Sequence, residues 1–511
     1  MNSKNATCDL DPVPTELLKN CLSEIVPSIV KLANLSLSSG IVPSSFKKAL
    51  IKPLIKKPSL GAELLSHYRP IANLPFLSKI LEKTVANRLS TYMTENGLHE
   101  TLQSAYKPGH STESALTRIQ NDILLDLDDK KALILVLLDL SAAFDTIDHS
   151  ILMQRLQNRL GITGNALAWF SSYLSDRNSS ISIDGKLSSP SSCRFGVPQG
   201  SVLGPILFTI YTMPISAIIS SFDLKYHFYA DDTQLYLSFN PKKSESFDHA
   251  LSRMEMCIRA IKTWMSHNML QLNDKKTEVL FIASPHFQKS LPSQTLMVDT
   301  TNVSRSQSAS NIGVIFDHEM SMKNHIASTS KMCHFHLRNI GSIRKYLTED
   351  ACKTLIHSLI SSRLDYCNSL LVNLPSSTLE PLQRVLNTAA RIVSLRPKRE
   401  HITPVLRALH WLPVRQRITF KILLITFRCI YGLAPKYLSE LLKVHEHKRH
   451  LRSSGTTQLD YNIPNTKYGE RAFSTSGPIL WNSLPVNVRQ TESLGVFKTG
   501  IKTFLFNEAF P

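Results

Sequence analysis

The amino-acid sequence predicts an α+β protein built from several subdomains. Residues 126 to about 320 alternate between short β-forming runs and longer helical stretches, whereas the pattern turns helical from about residue 321. A length of 511 residues is too great for one compact core, because single hydrophobic cores stop growing beyond about 250–300 residues. A hydrophobic fraction of 42% is typical of a globular chain. About three or four subdomains are therefore expected.

The N-terminal region, residues 1 to about 125, contains two predicted helices. They are expected around Glu16 to Leu37 and around Leu77 to Glu95. The second begins after Pro75, and proline is well tolerated where a helix starts because its missing N–H would have no partner there.

A buried strand is predicted at the start of the middle region. The run Leu133 to Leu138 contains no polar residue, which is typical of a strand covered on both faces. Its end would present Asp139 at the edge of a sheet.

A β-hairpin is predicted around a second acidic site. Ala230 and Asp231 stand between two runs of β-forming residues, so Asp231 and Asp232 would lie at the hairpin tip. The apolar and aromatic members of those runs are Tyr226, Phe228, Leu235 and Leu237. If the strand that ends before Asp139 lies beside this hairpin, the carboxylates of Asp139, Asp231 and Asp232 form one cluster.

Such a cluster predicts metal chemistry, because carboxylates this close repel one another unless cations are bound. Mg²⁺ prefers oxygen ligands, and two ions roughly 3.5–4 Å apart can hold the attacking and leaving oxygens of an in-line displacement. The pattern therefore predicts a two-metal nucleotidyl transferase. The alternative is that adjacent aspartates are ordinary turn residues.

The charge of the chain indicates a polyanionic partner. The formal net charge is +18 and the isoelectric point is near 9.5, and neutralising phosphates supplies affinity that does not depend on sequence. Nucleic acid fits this charge better than a membrane does. Basic residues of the helical region beyond residue 321 are Arg338, Arg344, Lys345, Lys353, Arg363, Arg384, Arg391, Arg396, Lys398, Arg399, Arg407, Arg415, Arg417 and Lys421, and Lys448–Arg452 extends the set. Taken singly, each could be a solvated surface charge.

Several sequence blocks occur in an order that identifies a family. They are Tyr68-Arg69-Pro70-Ile71, Gln103–Thr112, Asp139–His149, Gly196–Pro205, Tyr229-Ala230-Asp231-Asp232, Leu270–Glu278 and Asn311–Val314, followed by Ser362–Asn368, Ala389–Arg391 and Leu409–Pro413. Together they resemble the reverse transcriptases of LINE-type (non-LTR) retrotransposons, from about Asp11 to the C-terminus.

The resemblance implies a right-hand polymerase with fingers, palm and thumb and a basic, helical C-terminal region. The expected bounds are 1–125 for the N-terminal extension and fingers, 126–320 for the palm with the catalytic carboxylates, 321–425 for the helical thumb, and 426–511 for the C-terminal region. The chain starts just before the first polymerase block, so no upstream endonuclease domain is expected.

Catalytic roles follow from the chemistry of the matched blocks. Asp139 and Asp231 would be the shared metal ligands, Asp232 a weaker or outer ligand, and the backbone carbonyl of Leu140 a further oxygen. The resemblance implies a lysine near the leaving pyrophosphate in the block Leu270–Glu278, so Lys276 is a candidate general acid, and the adjacent Lys275 is the alternative. The expected cofactor is Mg²⁺, with Mn²⁺ as an alternative.

Nucleotide-binding roles are expected at five positions. The resemblance implies that Phe144 lies under the sugar and excludes a 2′-hydroxyl, which favours dNTPs, although Phe144 could also be plain core. It also implies that Gln199 packs on the nucleotide and the template base while Gly200 makes room. Arg69 is expected to pair with the triphosphate through its guanidinium fork, with Lys52 as a helper.

The expected partners are an RNA template, a DNA primer and dNTPs, with no membrane. Val202 to Ile219 is uncharged, but Gly204, Pro205 and Pro214 interrupt it, so a buried palm helix is expected. The eight cysteines include no Cys-x-x-Cys pair, which favours reduced intracellular thiols. The expected localisation is intracellular, in the nucleus and cytoplasm. The alternative function is a catalytically silent nucleic-acid-binding relic.

Overall fold

The computed structural model describes residues 8–58, 60–141, 144–292, 294–298, 301–445 and 457–511. Ala142 and Ala143 of the block Asp139–His149, and the basic run Lys448–Arg452, lie outside these residues. The structure mixes helices and strands throughout, which confirms the α+β class. All eight cysteines carry free thiols.

The strands in chain order are β1 (Lys48–Ile55), β2 (Tyr68–Asn73), β3 (Ala132–Leu138), β4 (Leu140–Ser141), β5 (Arg177–Ile183), β6 (Lys186–Leu187), β7 (Ser191–Cys193), β8 (Lys225–Tyr229), β9 (Asp232–Phe239), β10 (Gln271–Leu272), β11 (Glu278–Ile282), β12 (Leu296–Val298), β13 (Thr301–Val303), β14 (Ser308–Asn311), β15 (Val314–Asp317), β16 (Lys443–Val444) and β17 (Leu459–Asp460).

The α-helices are α1 (Thr15–Asn20), α2 (Leu22–Ser39), α3 (Phe76–Glu95), α4 (Thr112–Asp128), α5 (His149–Asn158), α6 (Gly164–Leu174), α7 (Gly204–Thr212), α8 (Ile215–Ser221), α9 (Ser244–His267), α10 (Pro285–Gln288), α11 (Lys323–Ile343), α12 (Glu349–Ile356), α13 (Ser362–Leu364), α14 (Ser376–Ser394), α15 (Thr403–Ala408), α16 (Val414–Ile430), α17 (Lys436–Ser439), α18 (Lys467–Arg471), α19 (Phe473–Asn482), α20 (Val486–Arg489) and α21 (Leu494–Ala509).

The chain folds as two compact units, each assembled from separated segments. The first unit comprises Met1–Tyr106, Asp139–Asp223 and Cys257–Asn273, and the second comprises Lys107–Leu138, Leu224–Met256 and Asp274–Pro511. The four subdomain bounds expected along the chain stay a prediction.

The first unit contains a sheet of order β2-β1-β5-β6, with β7 also paired to β5. β1 pairs antiparallel with β2 and parallel with β5. The predicted N-terminal helices are confirmed as α1 with α2 and as α3, which begins directly after Pro75.

The predicted palm helix is divided in two. α7 ends at Thr212 and α8 begins at Ile215, because Pro214 has no N–H to continue the helical hydrogen bonds. Among the described residues, Gly204–Ser221 alone is long and apolar enough to cross a membrane, and 44% of it is buried in the protein. Leu207, Phe208 and Tyr211 are fully buried, as is typical of core helices.

The second unit contains the antiparallel sheet β11-β3-β9-β8. β3 is the predicted buried strand, and it lies between two neighbours with nearly all its residues buried. The predicted hairpin is confirmed as β8 and β9, and β9 is the direct neighbour of β3. The helical C-terminal part has its own core, which includes Phe427, Trp481 and Phe497.

Candidate active site

The acidic hairpin tip is a tight two-residue turn. Tyr229 pairs with Asp232, so Ala230 and Asp231 form the turn between β8 and β9. Ala230 has φ +57°, in the left-handed region that tight hairpin turns require. Asp231 therefore lies in the turn, and Asp232 begins β9.

In the second unit, the end of β3, the turn between β8 and β9, and the start of β11 lie at the same end of the sheet. Leu138, the last residue of β3, pairs with Thr233, and Glu278, the first residue of β11, pairs with Leu137. A short 3₁₀ turn that ends at Lys276 precedes β11. The topology therefore brings Asp231, Asp232 and Lys276 to one end of the sheet.

Asp139 follows Leu138 directly in the chain and begins a segment of the first unit. Its carbonyl oxygen accepts a hydrogen bond from the Asn273 N–H at 2.9 Å. The next residue, Leu140, is buried and pairs with Leu272 in the short β4–β10 ladder. The backbone around Asp139 is thus held by a second strand.

The chemistry of the proposed metal ligands suits a hard cation, because carboxylate and carbonyl oxygens are the ligands that Mg²⁺ prefers. In the parts of the chain that the structure describes, no group of three or more His, Cys, Asp or Glu side chains is arranged to hold a metal ion. The clustering of Asp139, Asp231 and Asp232 therefore stays a prediction.

In the first unit, backbone hydrogen bonds join two of the sequence blocks. The carbonyl oxygen of Phe144 accepts from the Val197 N–H at 2.9 Å, and that of Ile147 accepts from the Gly196 N–H at 2.8 Å. The Phe144 ring is half-buried and lies 5.0 Å from the Phe208 ring, centroid to centroid. Phe144 therefore packs on α7 while part of it remains accessible.

In the block Gly196–Pro205, a glycine allows the backbone of another segment to come close. A β-carbon on Gly200 would lie 2.6 Å from the Ala72 carbonyl oxygen, and the residue has φ +116°. The Ala72 N–H also donates to the Gln199 carbonyl oxygen at 2.7 Å. Gln199 and Gly200 are thereby bound to the outer edge of β2.

The two basic candidates lie on β1 and β2. Lys52 pairs with Ile71 and Leu54 pairs with Arg69, so the Lys52 and Arg69 side chains share one face of the sheet. Arg69 is exposed, whereas Lys52 is half-exposed and forms an ion pair with Asp9 at 3.2 Å. The first unit therefore brings Arg69, Lys52, Gln199, Gly200 and Phe144 into one connected set of elements.

Two acidic residues support this set, and the sequence alone assigned them no role. The Gln199 side-chain amide donates to the Asp145 carboxylate at 3.0 Å. Glu82 is buried in α3, and its carboxylate accepts from the backbone N–H of Val202 at 2.7 Å and of Leu203 at 3.3 Å. A detectable signal was that Glu82 follows Leu81 and lies three residues before Val85, among apolar residues that recur at helical spacing.

Burial raises the pKa of Glu82, whereas the hydrogen bond from Val202 and the charge of Arg177 act in the opposite direction. A buried carboxyl that accepts backbone N–H groups can hold a loop in one position. Glu82 therefore positions the segment that follows Gln199 and Gly200.

The basic C-terminal helices are partly neutralised within the second unit. Arg417 pairs with Asp365 at 2.7 Å, and Lys421 pairs with Glu113 at 3.2 Å. Arg344 is buried and donates to the carbonyl oxygens of Leu347, Ile392 and Val393. Arg344 therefore has a structural role, which corrects its expected place on a phosphate-binding surface.

Residues 55–316 match the family described as "Reverse transcriptase (RNA-dependent DNA polymerase)". The chain is 28% identical over 346 residues to the probable RNA-directed DNA polymerase from transposon BS of Drosophila melanogaster, which is 65% of this chain and 36% of that protein. It is 27% identical over 323 residues to the RNA-directed DNA polymerase from mobile element jockey of the same organism, with 61% and 34% covered. The chain thus spans about a third of the length of these relatives.

Among solved structures, the apo telomerase of Candida tropicalis aligns over 85% of this chain and 74% of that chain. The TM-score is 0.42 and the identity is 12%, a likeness too weak to bear on the fold.

Proposed function

Because this chain belongs to the reverse transcriptase family, we propose that it is the RNA-directed DNA polymerase of a non-LTR retrotransposon. Its substrates are an RNA template, a DNA primer and dNTPs. The observation that carries the proposal is the sheet end of the second unit, where strand pairing places the Asp231-Asp232 turn, the end of β3 before Asp139, and Lys276 together.

In this proposal the carboxylates of Asp139, Asp231 and Asp232, with the Leu140 carbonyl oxygen, would hold the metal ions, and Mg²⁺ is the metal. Bound ions would supply activation of the primer 3′-hydroxyl and stabilisation of the charge on the transferred phosphate. Lys276 donates a proton to the leaving pyrophosphate.

The proposed nucleotide contacts are Arg69, Lys52, Gln199, Gly200 and Phe144. Arg69 and Lys52 share a face of the β1–β2 ladder, which suits two cations that bind one triphosphate. Gln199 and Gly200 lie against β2, and Phe144 is tied to the same loop through Val197. In this arrangement Phe144 excludes a 2′-hydroxyl and selects dNTPs.

The test is primer extension by the full chain on an RNA template with Mg²⁺ and dNTPs, beside Asp231→Ala. We expect the variant to lose at least about 10²- to 10³-fold in rate, because it lacks electrostatic stabilisation of the transition state. Binding of the template–primer duplex should persist. Asp248→Ala, an exposed carboxylate on α9, is the matched control and should extend normally. Duplex binding without extension by the wild-type chain would contradict the proposal.

A further inference from the structure

The β14–β15 hairpin ends in a two-residue turn with an unfavourable backbone. Asn311 pairs with Val314, so Ile312 and Gly313 form the turn. Both have positive φ, at +44° for Ile312 and +81° for Gly313, as in a type I′ turn. The first position of such a turn favours Asn, Asp or Gly, whereas a β-branched residue at positive φ is an outlier. Strain of this kind persists only where the surrounding structure enforces it.

Tyr366 supplies a restraint on this turn. Its hydroxyl donates a hydrogen bond to the Ile312 carbonyl oxygen at 2.7 Å. A β-carbon on Gly313 would lie 3.2 Å from the same hydroxyl and 3.3 Å from the ring atom Cε1, so the tyrosine packs directly on the glycine. The Tyr366 side chain therefore contacts both residues of the turn.

The hairpin runs along β11 with its turn toward the acidic end of the sheet. The Ala283 N–H, just after the end of β11, donates to the His318 carbonyl oxygen at 3.1 Å. At the other end, the carboxylate of Glu278, the first residue of β11, accepts from the Ser310 N–H at 3.2 Å. The turn that follows Ser310 therefore lies toward the start of β11, which is also the end where the acidic turn between β8 and β9 lies.

The segment that contains Tyr366 also reaches the acidic hairpin. The next residue, Cys367, is buried, and its thiol lies 3.7 Å from the Thr112 hydroxyl. Burial raises the pKa of Tyr229, the last residue of β8, and the neighbouring Cys367 raises it further. Tyr229 directly precedes the Ala230-Asp231 turn. Residues 366 and 367 therefore connect the strained turn with the acidic hairpin inside the second unit.

We propose that Tyr366 is a positioning residue of the polymerase site, because its hydroxyl holds the Ile312–Gly313 turn in place beside the Asp231-Asp232 turn. This inference rests on the proposed polymerase function. A turn that moves would disturb the alignment of the reacting groups at that end of the sheet, on which the rate depends. The proposed dNTP contacts belong to the first unit, so the loss should fall on kcat and leave the KM for dNTP unchanged.

The test is single-nucleotide primer extension by the full chain with Tyr366→Phe, which removes the hydroxyl and retains the ring. We expect kcat to fall about fivefold, the factor that corresponds to one neutral hydrogen bond. Tyr92→Phe is the matched control. Tyr92 is 37% exposed and donates to the Leu160 carbonyl oxygen at 2.7 Å in the first unit, and Tyr366 is 39% exposed. The control should keep the wild-type kcat.

A second substitution tests whether the hydroxyl acts through the strained turn. Ile312→Asn places at the first turn position a residue that tolerates positive φ, so the turn depends less on the Tyr366 hydroxyl. In the Ile312→Asn background, Tyr366→Phe should therefore lower kcat by less than about twofold, since contributions that act through one contact are not additive.

Hydrogen exchange of the β14–β15 hairpin gives a readout that does not need activity, and Tyr366→Phe should speed exchange there. With an active wild-type chain, an unchanged kcat in Tyr366→Phe, a rise in the KM for dNTP in its place, an equal loss in Tyr92→Phe, or the full loss in the Ile312→Asn background would overturn the positioning role. An inactive wild-type chain would overturn the polymerase proposal, and unchanged hydrogen exchange in Tyr366→Phe would then overturn the restraint on the turn.

Discussion

The carboxylate of Glu82 accepts a hydrogen bond from the backbone N–H of Val202 at 2.7 Å. The bond connects the buried face of α3 with the segment between Gln199 and α7. A residue of α3 thereby positions the loop to which we assign nucleotide binding.

Replacing Glu82 with leucine should lower the free energy of unfolding by about 2–5 kcal/mol, because the N–H groups of Val202 and Leu203 lose their acceptor. The same substitution should raise the KM for dNTP, because the loop that contains Gln199 and Gly200 is no longer held in position. Glu82→Gln keeps one acceptor oxygen and should lie between leucine and wild type. Thermal unfolding measures the change in stability, and single-nucleotide incorporation measures the change in KM. Glu95→Gln, an exposed site on the same helix, is the control, and an unchanged KM in Glu82→Leu would contradict the positioning role.

Gly200→Ala should disturb the contact with β2. The new β-carbon would meet the Ala72 carbonyl oxygen at 2.6 Å and would impose φ +116° on an alanine, at a cost of about 1–3 kcal/mol. We expect weaker dNTP binding together with lower stability. Gly185 also has a positive φ, at +79°, but a β-carbon there would have no atom within 4 Å. Gly185→Ala is therefore the control that shows the effect of backbone strain without the clash. Equal losses in both variants would mean that the contact with Ala72 is unimportant.

Phe144→Val should relax the choice between dNTPs and NTPs. The smaller side chain leaves space where the ring packed against Phe208. A change of this size in the volume of a binding pocket alters substrate selectivity by about 10- to 200-fold. The measurement is the ratio of kcat/KM for dNTP and NTP incorporation on one template. Phe144→Tyr retains a ring and should retain selectivity. An unchanged ratio in Phe144→Val would assign Phe144 to the core alone.

His227 should make the protein sensitive to acid. It is fully buried in β8, three residues before Ala230, and its ring contacts Tyr437 at 4.9 Å between centroids. Burial, helped by the positive charge of Arg118, lowers its pKa to about 3, whereas an unfolded histidine titrates near pH 6.5.

As the pH falls below about 6.5, the unfolded chain binds a proton that the folded chain does not. The free energy of unfolding should then fall by up to about 1.4 kcal/mol per pH unit until the pH approaches the folded pKa. Chemical denaturation between pH 7 and pH 4 should show a shallower decline for His227→Gln. The exposed His401→Gln should follow wild type, and identical slopes for all three proteins would refute the assignment.

Elements whose patterns are local could be predicted from the sequence. The apolar run of β3, the β-forming flanks of the Ala230-Asp231 turn and the start of α3 after Pro75 were all predictable, because period and turn chemistry act over a few residues. The order of the blocks along the chain also indicated the family.

The contacts between elements that are distant in the chain could not be predicted in this way. The pairing of β11 with β3 brings Lys276 to the hairpin end, the edge of β2 receives Gln199 and Gly200, and Arg344 turns inward to bind backbone carbonyls. The hydrogen bond between Glu82 and Val202 likewise joins segments that are far apart in the chain. Strand register and core packing are properties of such long-range contacts, so the periodicity of one segment carries no information about them.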